Sequence, residues 1–172
     1  MEKNYDFTWE DLGDLSIGRP NLGDQTSVTV YRLMHFTFKD VLSKELGLEK
    51  TRKLMAAAGE LAGREFCRHV LDTTLPFPEF IADLKEKLIA LKVSVLRIEE
   101  ADLEALRFTL TVSEDLDCSG LPISGDSVCD YDEGFIAGIL NAYTGKEFSV
   151  REIDCWATGD RTYRFTARLV EG

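Results

Sequence analysis

The stretch that decides the fold is "DYDEGFIAGILNAYTGKEFSVREIDCWATGDRTYRFTARLV", residues 130–170. Its first part predicts an amphipathic helix that ends at Gly145, because apolar residues recur every three or four positions. Asp130 is predicted to cap this helix, with Glu133 three residues later as in a capping box. The second part predicts two strands, "FSVREIDCW" and "RTYRFTARLV", which the turn "ATGD" joins into a β-hairpin.

Upstream of this stretch, the sequence predicts helices first and strands afterwards. Residues 1–26 are rich in Gly, Asp, Asn and Pro and predict an extended arm, whereas residues 27–172 are interpreted as a single domain. The periodicity predicts helices over 28–46, 49–72 and 78–91, and strands over 93–100 and 106–113. Because helices and strands are segregated along the chain, we expect an α+β fold, with one antiparallel sheet of about four strands covered by helices.

Composition and charge exclude several classes of function. The chain has 31 acidic and 20 basic residues, a formal net charge of −11, so it repels phosphate backbones and no nucleic-acid binding is expected. The sequence lacks a run of about 18 apolar residues, and we therefore expect no membrane span. The acidic start "MEKNYDFTWEDLGD" lacks the pattern of a signal peptide, which predicts a cytoplasmic protein.

The second predicted helix contains Gly59 and Gly63, which lie one turn apart. Its apolar face is predicted to consist of Met55, Ala58, Ala62, Phe66 and His69. The two glycines have two interpretations: either another backbone packs closely against them, or they leave room for a ligand.

The four cysteines and their acidic neighbours are the strongest chemical signal. Cys67 lies within a helix and is interpreted as buried, whereas Cys129 directly precedes a helix start, where the helix dipole favours a thiolate. Glu152 and Cys155 follow on the next strand, and two thiols with a carboxylate can bind zinc. Residues i and i+3 of a regular strand point to opposite faces, so these two side chains converge only if the strand bulges.

Catalytic motifs are less evident. His35 and His69 are the only histidines, and each is isolated in the sequence. The carboxylates of "GDSVCDYDEG" are explained as a helix cap and a solvated helix start. Because no nucleophile has a base at a recognisable spacing, an enzymatic function is not favoured.

The segment from Cys118 to Phe165 resembles the 4-vinyl reductase domain family. The matching features are Cys129 before a helix, glycines within and after that helix, and Glu152-x-x-Cys155. Members of this family resemble small-molecule-binding domains, among them sensors of phenols and other aromatics. Their fold is similar to subunits of the TRAPP trafficking complex, which hold an acyl chain and pair as dimers. The resemblance implies an α+β homodimer with an apolar ligand cavity.

The resemblance also implies a zinc site. Carried over by position, three ligands fall on Cys129, Glu152 and Cys155, and the fourth falls on Tyr163. Tyrosine is a poor zinc ligand at neutral pH, because its pKa is about 10. Either Cys118 replaces the missing thiol, or water takes the fourth position.

We therefore expect a stand-alone domain, sensory or regulatory, that binds an apolar or aromatic small molecule. The expected walls of its cavity are Phe66, His69, Phe108, Leu110, Phe135 and Ile139. Three alternatives stay open. Cys118 and Cys129 could form a redox-sensing disulfide if their Cα atoms come within about 7 Å. The chain could be a dimerising scaffold without a free ligand, or a reductase of a tetrapyrrole vinyl group, although the sequence shows no nicotinamide or flavin site.

Overall fold

The fold combines five α-helices and four strands in the described part of the chain. The computed structural model describes residues 5–123, 129–155 and 162–170. A 3-10 turn at Trp9–Leu12 precedes helices α1 Leu15–Gly18, α2 Val28–Leu46, α3 Leu48–Val70, α4 Phe77–Ala90 and α5 Asp130–Thr144. The strands are β1 Val95–Asp102, β2 Arg107–Ser113, β3 Phe148–Asp154 and β4 Tyr163–Leu169. They form one antiparallel sheet in the order β1-β2-β4-β3, which confirms the predicted α+β fold. The predicted turn "ATGD" lies outside the described residues.

One face of the sheet forms the core, and the alternation of side chains along β2 and β4 produces it. Opposite residues of the two strands are buried as pairs: Phe108 with Ala167, Leu110 with Phe165, and Val112 with Tyr163. Helix α4 covers this face with Phe80, Ile81, Leu84 and Leu88, all of which are buried. The period-two pattern therefore predicts correctly which side chains of β2 and β4 enter the core.

Helices α3 and α5 pack backbone against backbone through glycines on both. A Cβ atom on Gly59 would overlap the carbonyl oxygen of Tyr131, and one on Gly63 would overlap that of Phe135. The contact is reciprocal, because Gly134 and Gly138 of α5 meet carbonyl groups of α3 in the same way. The interpretation as close packing is thus confirmed for these glycines, and the space that a ligand would need beside them is filled by a helix.

The buried stripe of α3 runs through these glycines and differs from the predicted face. Its members are Thr51, Met55, Gly59, Gly63 and Cys67. The buried stripe departs from the predicted face beyond Met55, because a pattern of apolar side chains gives no weight to glycine, although glycine permits the closest contact. The residues one position away, such as Ala58 and Phe66, lie beneath the N-terminal segment instead, where the Trp9 ring stacks on His69 at 4.6 Å.

Helix α2, like the short helix α1, contributes no buried residue to the core. It is described along its whole length and has no buried residue. Among the described residues, no helix combines the length and the apolar character that crossing a membrane requires. The boundary between arm and domain near residue 26 stays a prediction.

We predict that Gly63→Ala lowers the free energy of unfolding by about 3 kcal/mol, the cost typical of overpacking a rigid interface. The added methyl group meets the Phe135 backbone, which cannot move without shifting α5. Gly18→Ala is the control, because no atom lies within 4 Å of its added Cβ. Urea denaturation measures both variants. Equal stability of Gly63→Ala and the unsubstituted protein would show that the helices are not in contact there.

Candidate functional site

An apolar cavity lies between the core face of the sheet and helices α4 and α5. Its volume is about 70 Å³, above the ~10–15 Å³ that one water requires but about half the ~150 Å³ of an apolar cavity that binds benzene, so a ligand with an aromatic ring would displace side chains of the wall. Four of the six predicted wall residues line it: Phe108, Leu110, Phe135 and Ile139. The remaining walls are mostly aliphatic and come from α4, β1 and α5, so the cavity suits an apolar molecule.

The structure places the other two predicted wall residues outside this cavity. Phe66 lines a shallow groove beneath the N-terminal segment, together with Phe7 and Trp9. The side chain of His69 is exposed; its Nε2 lies 3.4 Å from an oxygen of Glu65. Phe135 borders both the groove and the cavity, and its ring centroid lies 5.4 Å from that of Phe66.

The polar groups at the cavity are Ser94 and two carboxylic acids, Asp115 and Asp132. Burial, followed by the neighbouring charge of Asp117, raises the pKa of Asp115 to about 6. Burial, followed by the neighbouring charges of Asp115 and Asp117, raises the pKa of Asp132 well above its ordinary value. Asp132 is half-buried and lines the cavity, so the interpretation as a solvated helix start does not hold for this residue.

The loop that carries Asp115 is held by Arg32 of α2. The Arg32 guanidinium donates to three carbonyl oxygens of this loop, those of Asp115 (3.2 Å), Leu116 (2.7 Å) and Ser119 (2.9 Å). Within the loop, Oδ1 of Asp115 accepts the backbone N–H groups of residues 117 and 118 at 2.8 and 3.0 Å. These bonds fix the position of Cys118.

Cys129 and four potential metal ligands near it form a group that we call the thiol–carboxylate cluster: Cys118, Cys129, Asp132, Glu152 and Cys155. The sulfur atoms of Cys118 and Cys129 lie 3.0 Å apart, and the Cys118 sulfur lies 3.8 Å from Oδ2 of Asp132. All three thiols are buried. The hydrogen bond with Cys118 and burial raise the pKa of Cys129. Cys67, in the core of α3, is not a member of the cluster.

A β-bulge brings Glu152 and Cys155 together, as the sequence requires for a shared site. The pairing of β3 with β4 shifts register between Glu152 and Asp154, and Cys155 follows directly after the strand. The ligand atoms of Glu152, Cys155 and Cys129 consequently lie within 4.8 Å of one another.

Glu133 ties the bulged strand to α5. Its Oε1 accepts the backbone N–H of Glu152 at 2.8 Å, and its Oε2 lies 3.0 Å from the Arg151 guanidinium. The predicted capping box is therefore wrong: Cys129 occupies the cap position without a side-chain bond. Asp130 is the first helical residue and forms an ion pair with Lys39 at 3.3 Å.

Tyr163 lies beside the cluster at the position where the family resemblance predicts a fourth ligand. It is only 1% exposed, and burial raises its pKa, with the nearby Cys118 as the second cause. Its hydroxyl approaches Ser119, but the described residues provide no hydrogen bond of ordinary geometry to it.

The donors of the cluster fit a small thiophilic cation. Zinc binds thiolates at about 2.3 Å and carboxylates at about 2.0–2.2 Å, which places tetrahedral ligand atoms about 3.3–3.8 Å apart. The cluster contains two donor groups, Cys118–Cys129–Asp132 and Cys129–Glu152–Cys155. Within each group, the ligand atoms lie within 4.8 Å of one another. Small side-chain adjustments would therefore suffice to hold an ion.

Sequence reasoning identified the thiols of the cluster and Glu152 but missed Asp115 and Asp132. The available signal was the spacing of Cys129 and Asp132, which places both at one helix start. That spacing alone does not distinguish an inward carboxylate from a solvated one.

The C-terminal part of the chain matches a known family model. Residues 108–169 match the model of the 4-vinyl reductase domain. An uncharacterized protein of Methanocaldococcus jannaschii is 25% identical over 150 residues, which cover 87% of this chain and 82% of the relative. A second uncharacterized protein of the same organism is 23% identical over 163 residues, covering 93% and 87% of the two chains.

Solved structures share the fold at low sequence identity. The phenol-responsive sensory domain of the transcription activator PoxR, solved with phenol, matches with a TM-score of 0.62 at 14% identity, covering 84% of this chain and 75% of that one. A vinyl-4-reductase family protein from Methanocaldococcus jannaschii matches with 0.59 at 16% identity, covering 91% of each chain. A trafficking protein particle complex subunit 3 from Naegleria fowleri, covalently bound to palmitic acid, matches with 0.59 at 14% identity, covering 84% and 98%. The predicted resemblance to the 4-vinyl reductase domain family and the TRAPP-like fold are both confirmed.

Proposed function

We propose that this chain, whose residues 108–169 match the 4-vinyl reductase domain, is a sensory domain that binds a small apolar or aromatic molecule in its interior cavity. The observation that carries the proposal is the cavity itself, apolar around most of its wall and bordered by Asp115 and Asp132. Such a wall favours a ligand with an apolar body and a single hydrogen-bond donor, because the carboxyl oxygens can accept that donor.

The likeness of the fold to a phenol-responsive sensory domain supports a phenol-sized ligand. A carboxylate ligand is disfavoured, since it would add a negative charge to a poorly solvated site that already raises the pKa of both acids. The reductase hypothesis stays an untested prediction.

We predict that phenol binds in the cavity and that Ile139→Phe weakens its binding at least tenfold, or about 1.4 kcal/mol. The larger side chain occupies the space that Ile139 now borders. Ile89→Phe is the matched control, because Ile89 is exposed on α4 and lies away from the cavity wall. Isothermal titration calorimetry measures the dissociation constants. If the unsubstituted protein binds neither phenol nor toluene, and native mass spectrometry finds no co-purified molecule, the scaffold alternative is favoured.

We further propose that the thiol–carboxylate cluster holds zinc, with Cys129, Glu152 and Cys155 as ligands and a fourth ligand from the side of Cys118. When bound, zinc would supply the positive charge that compensates deprotonated thiols and carboxylates in a buried site. The protein residues would then join three segments, the loop around Cys118, the start of α5 and the end of β3.

We predict about one zinc ion per chain after purification without chelators, and its loss in Cys129→Ala, because Cys129 belongs to both donor groups. Cys67→Ala is the matched control, since it removes a buried thiol outside the cluster. Elemental analysis by inductively coupled plasma mass spectrometry measures the metal content. Retention of stoichiometric zinc in Cys129→Ala would contradict the assignment.

A second candidate function, thiol-based redox sensing, is favoured by the 3.0 Å distance between the sulfur atoms of Cys118 and Cys129. With hydrogen peroxide as oxidant, the two thiols would lose two protons and two electrons and form a disulfide. The peroxide would accept them and leave as two water molecules. Burial opposes this reaction, because the attacking species is a thiolate and the pKa of Cys129 is raised.

We predict that the metal-free protein forms the Cys118–Cys129 disulfide under hydrogen peroxide more slowly than an exposed dithiol, and that bound zinc slows the reaction further. Peptide mass spectrometry after blocking of free thiols measures the disulfide, and Cys118→Ser serves as the variant that cannot form it. If zinc-loaded protein oxidises as fast as metal-free protein, redox sensing becomes the better-supported function.

We also propose that the chain forms a homodimer through the exposed apolar face of α2. This face presents Val30, Leu33, Met34, Phe38 and Val41, at the spacing of three to four residues that places them on one side of a helix. Contiguous exposed apolar residues of this kind are typical of protein–protein contacts. In the dimer, the apolar faces of α2 from the two copies of the chain would pack against each other.

We predict that Phe38→Glu converts the dimer into a monomer, because a charge on the apolar face must be desolvated on association. Ile89→Glu is the control, as it introduces the same charge at an exposed position of α4. Size-exclusion chromatography with light scattering measures the mass. A monomeric unsubstituted protein at micromolar concentration would contradict the dimer.

A further inference from the structure

We infer that Asp132 couples the cavity to the thiol–carboxylate cluster, so that a ligand with a hydrogen-bond donor and a metal ion each strengthen the binding of the other. The inference rests on the proposed function, since it requires both the ligand and the metal. It adds a way in which a ligand in the cavity would affect the loop around Cys118, the start of α5 and the end of β3, the three segments that the metal would join.

Asp132 is a member of both sites in the described structure. It borders the cavity in the first turn of α5, one turn before Phe135 and Ile136, which also line the cavity. On its other side, Oδ2 lies 3.8 Å from the Cys118 sulfur, and Asp132 forms a donor group with Cys118 and Cys129. Among the described residues, Asp132 is the one member of the cluster that also lines the cavity.

The two donor groups overlap at Cys129. Cys129–Glu152–Cys155 supplies three ligands, and the nearest source of a fourth is the second group, which contains Cys118 and Asp132. A metal ion that takes its fourth ligand from the second group therefore lies close to Asp132.

Tyr163 places a further buried polar group beside the cluster. Its buried hydroxyl lies beside Cys118 and Cys129, and the described residues provide no well-formed hydrogen bond to it. A neutral thiol is a weak acceptor, whereas a metal-bound thiolate is a good one. The hydroxyl would therefore find its acceptor when the thiols of the cluster are deprotonated around a cation.

The expected coupling is positive because a carboxylate has two oxygens. One oxygen can face the metal while the other accepts a hydrogen bond from a ligand in the cavity. A metal that fixes the Asp132 side chain removes rotamer freedom that the ligand would otherwise have to restrict. By thermodynamic linkage, the ligand must improve metal binding by the same factor.

The test measures the dissociation constant of zinc with and without saturating phenol, and that of phenol with and without zinc. We expect each to strengthen the other by about fivefold or more, the lower end of typical coupling, and by equal factors. Toluene is the matched probe, because it keeps the ring and lacks the donor; its binding should be independent of zinc. Both measurements use the unsubstituted protein, so they do not require that any variant folds correctly.

Asp132→Asn, which keeps the shape of the side chain, should weaken the binding of zinc and of phenol and bring the coupling factor between them close to one. Asp40→Asn, an exposed substitution on α2, is the control that should leave the factor unchanged. With Co²⁺ in place of zinc, phenol should change the visible absorption spectrum of the unsubstituted protein and of Asp40→Asn, but not that of Asp132→Asn.

The outcomes separate the inference from the proposed function. If zinc and phenol both bind but neither alters the affinity of the other, the inference is overturned and the proposed function stands. Equal coupling for phenol and toluene would also overturn it, since the donor would then be irrelevant. If zinc fails to bind, the zinc proposal is overturned, and if phenol fails to bind, the proposal of a phenol-like ligand is overturned; the inference falls in either case.

Discussion

The backbone contact between α3 and α5 is the constraint on which the rest of the structure depends. Glycine is the only residue that allows this approach, and four glycines on two helices provide it reciprocally. The contact fixes both the depth and the rotation of α5. As a result, successive acids in the first turn of α5 face different surroundings: Asp130 a lysine of α2, Asp132 the cavity and the thiols, and Glu133 the backbone of β3.

The candidate site concentrates ionisable groups where their charged forms are poorly solvated. Asp115, Asp132 and Cys129 all have raised pKa values, with burial as the first or second cause of each. Groups of this kind cost stability unless they are compensated, and they cluster at functional sites. A cation between them, or a donor from a ligand, would relieve the same cost. This shared cause links the cavity to the cluster in physical terms.

Sequence patterns predicted the parts of the structure that depend on local periodicity. The alternation along β2 and β4 gave the correct core residues, and the i, i+3 spacing of Glu152 and Cys155 correctly required a bulge. The patterns failed where a side chain's surroundings come from distant segments. Nothing near Asp132 in the sequence reveals that α3 turns it inward, and nothing near Phe66 reveals that the glycine stripe moves it out of the cavity.

Phe135 has a backbone fixed by the packing of two helices, and it lies between the interior cavity and the groove under the N-terminal segment. Its carbonyl and Cα lie against Gly63, while its ring borders the interior cavity on one side and the groove under the N-terminal segment on the other. Phe135 is thus the one described residue that lines both spaces, and the contact between α3 and α5 holds its backbone. A bound molecule that left by way of the groove would have to pass this side chain, so in kinetic terms its rotation would affect the residence time.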